Sequence, residues 1–389
     1  MNKMYFKASF VLATALLFAS CSDDDSTSSS TTATKKQVVS NYADIVYTNY
    51  KDAYDDAVVL ETAINTFTAN PTDANFTVAK EMWKEARESY GTTEAFRFAN
   101  GPIDDENGPE GLLNAWPLDE NFVDYVDGAA DAGIINATTT YPIISKELLE
   151  SLNENGGEKN ISVGYHAIEF LLWGQDLTAP EANLPGQRLY TDYVEGGTAA
   201  NQLRRATYLN VCADFLTDHL SYLVEQWKPN GTYRTTFLDL PVDTALKNMY
   251  LGITTLVLAE LPIERMDVAL GNADQEDEHS CFSDNTHRDI YLNLKGVINV
   301  YQGSYGTING ASLADLVEKA DPTLFAATAT AEQDALAKVA AILTPFDLAI
   351  SGGASSSEGQ KVKAAVVQLD TYGANLLAGA AKIGILVNN

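Results

Sequence analysis

The chain has 389 residues, of which 53 are acidic and 25 are basic, so its formal net charge at pH 7 is −28. A protein this acidic repels nucleic acid and anionic membrane surfaces, and we exclude nucleic acid as a partner. Its length exceeds what one hydrophobic core comfortably serves, which predicts two domains.

The first 20 residues predict the export signal of a lipoprotein. Lys3 and Lys7 form a basic start, residues 10–18 are apolar, and small residues precede Cys21. The apolar run is too short to span a bilayer as a stable helix. We therefore predict a signal peptide over residues 1–20 and a lipid on Cys21 that anchors the protein to the outer membrane, facing the periplasm or the outside. An ordinary secretory signal is the alternative.

Helical periodicity begins after a polar segment. Residues 21–36 are rich in Ser, Thr and Asp and predict a flexible tether. Apolar spacing then predicts one helix around residues 45–58 and a second from an N-cap at Thr72. The stripe of the second helix carries Trp83 and Tyr90, which we interpret as core residues.

A long irregular region separates these helices from the next. Residues 99–140 contain Gly-Pro, Asn-Gly and Trp-Pro pairs, and a loop of this length is usually functional. A short helix over residues 141–152 follows, and another helix begins near Ile161. The Pro- and Gly-containing segment 177–197 predicts a junction between domains.

The second half also reads as helical, with a bend at Pro262 and a polar loop over residues 271–289. The helical spacing covers residues 203–227, 240–260, 289–300, 331–349 and 362–380. No convincing run of alternating strands occurs. The predicted fold is therefore all-α, with two helical bundles of about four main helices each, residues 37–195 and 196–389. Both halves begin with a long amphipathic helix, which suggests a duplication.

The most informative stretch surrounds His166, because Glu169 follows three residues later. On a helix these two side chains lie on one face and can converge on one point. Gly164 allows another backbone to come close. The apolar run over residues 168–173 predicts a buried helix, in which a charged group needs a partner. That partner is a metal, a substrate or an arginine.

Three segments together resemble the imelysin family, and the resemblance spans residues 40–389. The stretch Gly164-x-His166-x-x-Glu169 matches the GxHxxE signature of that family. The second segment contains EAFR, GPID and NAWP within residues 94–117, and the third ends in FSDNTH at residues 282–287. Cys281 stands where the family leads us to expect a basic residue. The resemblance implies a two-domain helical fold, export to the envelope and a site between the domains.

These motifs and the residue chemistry define the candidate site. The candidate metal or ligand-binding residues are His166, Glu169, Glu94, Asp284 and His287. The expected supporting residues are Gly164, Arg97, Asp104, Arg265 and Ser283. Imidazole and carboxylate ligands suit iron, manganese or zinc, and we expect a divalent metal such as iron or zinc. A metal-free site, with Arg97 or Arg265 bound to the His–Glu pair, stays open.

The resemblance leaves the activity open, since related proteins act in iron-responsive and ferrous-iron uptake systems and founding members were described as metallopeptidases. A catalytic zinc site usually has three protein ligands and a water. His166 and Glu169 supply two at most, and Phe170 stands where the inverted zinc motif needs a histidine. We therefore predict metal binding in iron acquisition, with iron-uptake proteins as partners. A metallopeptidase and a metal-free module for a peptide or small ligand are the alternatives.

The remaining cysteines and histidines carry weaker signals. Cys212 and Cys281 can pair in an oxidising compartment, but Cys212 lies on an apolar stripe that favours a buried thiol. His279 is interpreted as a loop residue on the surface, and His219 is assigned no function.

Overall fold

The computed structural model describes residues 25–387, and the side chains of residues 34–387. The predicted signal peptide over residues 1–20 and the predicted lipid site Cys21 lie outside the described residues. Within the described part, no helix combines the length and the hydropathy needed to cross a membrane.

The first half is built from helices and connecting loops. Its helices are α1 (Asp25–Ala69), α2 (Asp73–Thr93), α3 (Glu110–Leu113), α4 (Glu120–Val123), α5 (Gly133–Asn136), α6 (Lys146–Leu152) and α7 (Gly164–Trp173). The predicted irregular region 99–140 therefore contains three helices of four residues each.

The second half is helical as well. Its helices are α8 (Gln202–Trp227), α9 (Thr232–Asp239), α10 (Val242–Thr255), α11 (Val268–Asn272), α12 (Thr286–Gln302), α13 (Leu313–Ala320), α14 (Pro322–Ala340), α15 (Phe346–Ile350) and α16 (Ser357–Lys382). A π-helical segment, Leu256–Asp267, joins α10 to α11. The strands β1 (Ser304–Tyr305) and β2 (Ile308–Asn309) form one antiparallel pair. The predicted all-α class is confirmed.

The first helix starts earlier than the composition indicates. Its start at Asp25 lies inside the predicted tether of residues 21–36. Lys35 is already anchored, because its ammonium donates to the Asp243 carboxylate at 2.8 Å and to the Ile383 carbonyl at 3.0 Å. Helix α1 thus covers most of the segment predicted as a tether, since extending an existing helix adds one hydrogen bond per residue even through a polar sequence.

The packing divides the helices differently from the predicted boundary between residues 195 and 196. Helix α8 packs against α1 and α7, while α1 also packs along α2. The other main group joins α12, α14, α16 and the π-helical segment. Helix α8 thus belongs with the first group, although the sequence analysis placed it in the second bundle. One hydrophobic core runs continuously from Val38 to Ile385.

Three prolines shape the second group. The predicted bend at Pro262 is a π-helical segment, a known way to accommodate a residue that cannot donate its backbone hydrogen bond. The predicted helix over residues 331–349 is two helices, because α14 ends at Ala340 and α15 starts after Pro345. Helix α14 begins at Pro322, where the Asp321 carboxylate accepts from the Leu324 amide at 3.0 Å.

Candidate functional site

Helix α7 places the GxHxxE motif in the interior. All ten of its residues are buried. Gly164 has a φ of +90°, and a Cβ on it would lie 2.7 Å from the Leu113 carbonyl oxygen. The glycine therefore lets the start of α7 press against the end of α3. At the next residue, the Trp83 indole N–H donates to the Tyr165 carbonyl at 2.9 Å.

His166 and Glu169 form a buried pair on one face of α7. His166 Nδ1 lies 2.9 Å from Glu169 Oε2, and neither side chain is exposed. The other carboxyl oxygen, Oε1, accepts from the Ser283 amide at 3.0 Å and from the Ser283 hydroxyl at 2.7 Å. The loop before α12 is thus tied to the motif helix, and both oxygens of Glu169 are occupied.

His279 lies in the same interior region, so the surface assignment from sequence is wrong. Its residue exposure is 2%. Its Nδ1 lies 2.8 Å from Asp289 Oδ2, which also accepts from the Ser280 hydroxyl at 2.6 Å. The Arg87 guanidinium donates to Asp289 Oδ1 at 2.8 Å. Asp289 lies in the first turn of α12, and its contact with His279 holds that loop residue in the interior.

The two imidazoles pack against each other edge to face. The ring centroids of His166 and His279 are 4.6 Å apart with an interplanar angle of 75°. The Trp116 ring covers the pair, with its centroid 5.0 Å from that of His166. Nε2 of each histidine is buried without a hydrogen-bond partner. Each ring is therefore held through Nδ1 by a carboxyl group while its other nitrogen stays free.

Burial sets the protonation of these groups. It lowers the pKa of His166 well below its ordinary value, aided by the neighbouring His279. It also lowers the pKa of His279 to about 4, with Arg265 contributing. Burial raises the pKa of Glu169 to about 8, against the hydrogen bonds from Ser283. Burial opposes ionisation of Asp289 too, but Arg87 and His279 hold its pKa well below the usual range. At neutral pH both imidazoles are uncharged and Asp289 is ionised, so His279 carries its proton on Nδ1.

The predicted arginines bind a different carboxylate. Arg265 donates to Glu94 Oε2 at 2.8 Å, and Arg97 donates to the same oxygen at 3.3 Å. Burial opposes ionisation of Glu94, but Arg97 and Arg265 lower its pKa to about 2. Asp104 lies nearby, 3.8 Å from Arg97. Neither arginine therefore occupies the point between His166 and Glu169.

Arg97 and Arg265 line a cleft that also reaches His279. The cleft has a volume of about 510 Å³. It is lined by Arg97, Glu110, Asn114, Ala115, Trp116, Pro117, Glu154, Lys159, Glu260, Glu264, Arg265, Val268, Asp277 and His279. Asn114 links the two clusters, since it accepts from Arg87 at 2.5 Å and donates to Glu94 at 3.3 Å.

Two residues predicted as ligands lie elsewhere. His287 Nδ1 is 3.1 Å from the Asp284 backbone oxygen, and His287 lines a separate cleft with residues of α12 and α14. In the described residues no hydrogen bond or ion pair joins Asp284 or His287 to the His166–Glu169 pair. The reason is geometric, because Asp284 has a φ of +57° and the chain turns there, so only Ser283 meets Glu169.

The site has imidazole nitrogens without hydrogen-bond partners, but among the described residues it does not have a complete set of metal ligands. Across residues 25–387, no group of three or more His, Cys, Asp or Glu side chains is arranged to hold a metal. Nε2 of a neutral imidazole is a ligand that iron and zinc accept when the ring proton is on Nδ1, which is the form that Asp289 holds in His279 and that His166 has when its Nδ1 donates to Glu169. Imidazoles oriented by a carboxyl group on the other nitrogen are typical of metal ligands. The residues therefore fit part of a metal site, and water or a substrate would complete it.

Sequence reasoning missed His279, Asp289 and Arg87, although one signal was present. Arg87 lies four residues after Trp83 and three before Tyr90, on an otherwise apolar helical stripe. A charge at such a position requires a buried counter-charge. The two cysteines are both free and buried, and Cys212 donates to the Ser162 carbonyl.

The depressed pKa of His279 predicts a specific loss of stability in acid. Its pKa is 6.5 in a model peptide and about 4 in the fold, so between these values the unfolded chain binds a proton that the folded chain does not. The free energy of unfolding should therefore fall by about 3 kcal/mol as pH drops through this window. Urea unfolding of the protein and of His279→Gln across the window measures the effect.

In His279→Gln, the free energy of unfolding should lack this part of its pH dependence. His219→Gln is the matched control, because His219 is only partly buried and lies on α8, not in the loop that carries His279. Equal slopes of stability against pH in the protein and His279→Gln would contradict the assignment.

Comparisons with known proteins place the chain among relatives of similar length. The model of the imelysin family, Peptidase_M75, matches residues 46–376. The iron-regulated protein A of Synechococcus elongatus is 24% identical over 322 residues, which cover 80% of this chain and 75% of the relative.

Two solved structures share the fold. A protein from Parabacteroides distasonis, described as an iron-regulated protein A precursor, superposes with a TM-score of 0.70 at 17% identity, covering 90% of this chain and 95% of that chain. An imelysin-like protein from Psychrobacter arcticum superposes with a TM-score of 0.65 at 15% identity, covering 92% and 98%.

Proposed function

Because the chain belongs to the imelysin family, we propose that it is an envelope protein of iron acquisition that binds a divalent metal, iron or zinc, through His166 and His279. The iron role is supported by the similarity to proteins named iron-regulated protein A. The envelope location is supported by the lipoprotein-like start, with the lipid on Cys21 as the outer-membrane anchor. Iron-uptake proteins are the proposed partners.

The observation that carries the metal proposal is the pair of buried, unpartnered Nε2 atoms on two imidazoles in edge-to-face contact. A buried polar nitrogen without a partner is costly, so such atoms call for a ligand. Both nitrogens belong to imidazoles that burial keeps neutral, the form that binds metals. His279 lines the 510 Å³ cleft, which gives a route for a metal or a metal complex.

Each neighbouring group has a defined part in this proposal. His166 and His279 are the metal ligands, while Glu169 and Asp289 orient them through Nδ1. Ser283 and Arg87 hold those two carboxyl groups in place. A bound divalent ion would supply a positive charge that attracts oxygen ligands from the cleft. The proposal thus moves Glu169 from the predicted ligand role to an orienting role.

The metallopeptidase alternative is less well supported. A zinc peptidase needs a third protein ligand and a carboxylate free to act as general base. Both oxygens of Glu169 are engaged, by His166 and by Ser283. The metal-free alternative is supported by the cleft itself, whose 510 Å³ can hold a small ligand.

The test is the affinity of the purified protein for Fe²⁺ and Zn²⁺, measured by calorimetry under anaerobic conditions for iron. We expect one site, and at least about tenfold weaker binding in His166→Ala and in His279→Ala. Glu169→Gln keeps the shape of the orienting group and should weaken binding less than either histidine variant does. His219→Ala is the control and should bind like the parent.

Each outcome decides between the functions. Loss of binding in both histidine variants supports the metal site and justifies a peptide-hydrolysis assay with the loaded protein. If the parent binds neither ion, the metal proposal is wrong, and the cleft near His279 becomes a site for an organic ligand.

A further inference from the structure

A second cleft, separate from the one that reaches His279, has a buried arginine in its lining. Its volume is about 540 Å³. It is lined by Tyr125, Val126, Asp127, Gly128, Ala129, Ala130, Gly174, Gln175, Leu177, Thr178, Gln187 and Arg188. We propose that this cleft binds a ligand carboxylate through Nε of Arg188.

The guanidinium of Arg188 is buried but only partly satisfied. Its side chain is 1% exposed, and Nη1 donates to Asp124 Oδ2 at 2.7 Å. Nε is buried without a hydrogen-bond partner. A charged N–H donor left unpaired in the interior is costly, and a carboxylate oxygen is its strongest common acceptor.

The neighbouring side chains hold this guanidinium without filling the space beside it. It stacks between two aromatic rings, with its central carbon Cζ 4.9 Å from the ring centroid of Tyr125 and 5.2 Å from that of Phe170. Gly174, with a φ of +70°, lies next to it, and a Cβ on that residue would be 3.4 Å from Arg188 Nε. The glycine therefore keeps the approach to Nε open. Gly128 and Ala129 are small residues of the lining and leave space in the cleft.

The acidic neighbours of Arg188 lie at Nη1 and leave Nε unpaired. Asp124 serves two guanidinium groups, since Arg205 also donates to it at 2.6 and 2.9 Å. Asp192, 3.5 Å from Arg188, already accepts hydroxyl hydrogen bonds from Tyr125 and Thr198. Arg188 remains the basic residue of the lining, so it is the group that attracts a carboxylate.

The exposed carboxylate of Asp127 in the lining limits the net negative charge that a bound ligand can carry. A polyanion would be repelled by its carboxylate, whereas a ligand that also carries an ammonium group can pair with it. A carboxylate could come from a small organic acid or from the C-terminus of a peptide. The two sources are separated by experiment.

The test is calorimetric titration of the whole protein with three probes: tetraalanine with a free C-terminus, the same peptide amidated, and the monocarboxylate lactate. We expect at least one carboxylate probe to bind and the amide to bind at least about tenfold more weakly. Binding of the free peptide alone identifies a peptide terminus, and binding of lactate alone identifies an organic acid.

Two variants locate the site. Arg188→Gln should weaken binding by at least about tenfold. Ala130→Phe fills the cleft from an exposed position and leaves the contacts of Arg188 with Asp124 intact, so it should abolish binding even if Arg188→Gln misfolds. Ala327→Phe, an equal substitution at an exposed position of α14, should have no effect. His166→Ala should also leave binding unchanged, because the proposed metal site is separate.

The proposal is overturned if neither carboxylate probe binds, if the amidated peptide binds as tightly as the free peptide, or if binding survives in Ala130→Phe.

Discussion

Replacing Arg87 with Met is expected to lower the free energy of unfolding by about 3–5 kcal/mol. The Arg87 side chain is 1% exposed and that of Asp289 is 0% exposed. Methionine fills much of the volume but leaves the Asp289 carboxylate buried without its guanidinium. Asn114 loses its 2.5 Å donor at the same time. An uncompensated buried charge is among the few changes that cost this much.

Urea unfolding at neutral pH measures the loss, and two further variants interpret it. Asp289→Asn in the Arg87→Met background removes the orphaned charge and should recover part of the stability. Arg288→Met breaks the exposed pair with Glu88, only one residue before Asp289, and should cost less than about 1 kcal/mol. Equal losses in Arg87→Met and Arg288→Met would contradict the argument from burial.

This ion pair also bears on the proposed metal site. Arg87 helps to keep Asp289 ionised, and Asp289 fixes the proton of His279 on Nδ1. Without that charge, His279 loses the group that leaves Nε2 free as an acceptor. An arginine that is not part of the cleft lining thus positions the histidine that lines it.

The local part of the site was predictable because it depends on helix geometry. His166 and Glu169 are three positions apart on the helix, and the structure gives a 2.9 Å contact between His166 Nδ1 and Glu169 Oε2. The all-α class follows from periodicity in the same way. Gly164 was also identifiable, since a glycine at the start of a buried helix indicates close backbone contact.

The long-range part was not predictable from the same reasoning. His279 follows a polar segment that resembles a surface loop, and only the ion pair of Asp289 with Arg87, 202 residues apart, brings it inside. Asp284 and Ser283 are adjacent, yet a positive φ at Asp284 allows only Ser283 to reach Glu169. Periodicity marks the apolar face of α8 but does not say that α1 and α7 cover it.

The start of α7 supplies the last prediction. Gly164→Ala should destabilise the fold by about 3–5 kcal/mol, because two costs add. The φ of +90° is strained for any side chain, and the new Cβ would lie 2.7 Å from the Leu113 oxygen and 2.9 Å from its carbon. Both are backbone atoms, so the clash can be relieved only by moving α3 or α7.

Gly196→Ala separates these two costs. Its φ of +76° is similar, but a Cβ there meets nothing within 4 Å, so it should cost only about 1 kcal/mol. Urea unfolding of both variants gives the comparison, and equal losses would show that strain alone explains Gly164. Because α7 carries His166, a stable but shifted Gly164→Ala protein should also bind metal more weakly than Gly196→Ala does. That result would connect the glycine of the motif to its histidine through the position of one helix.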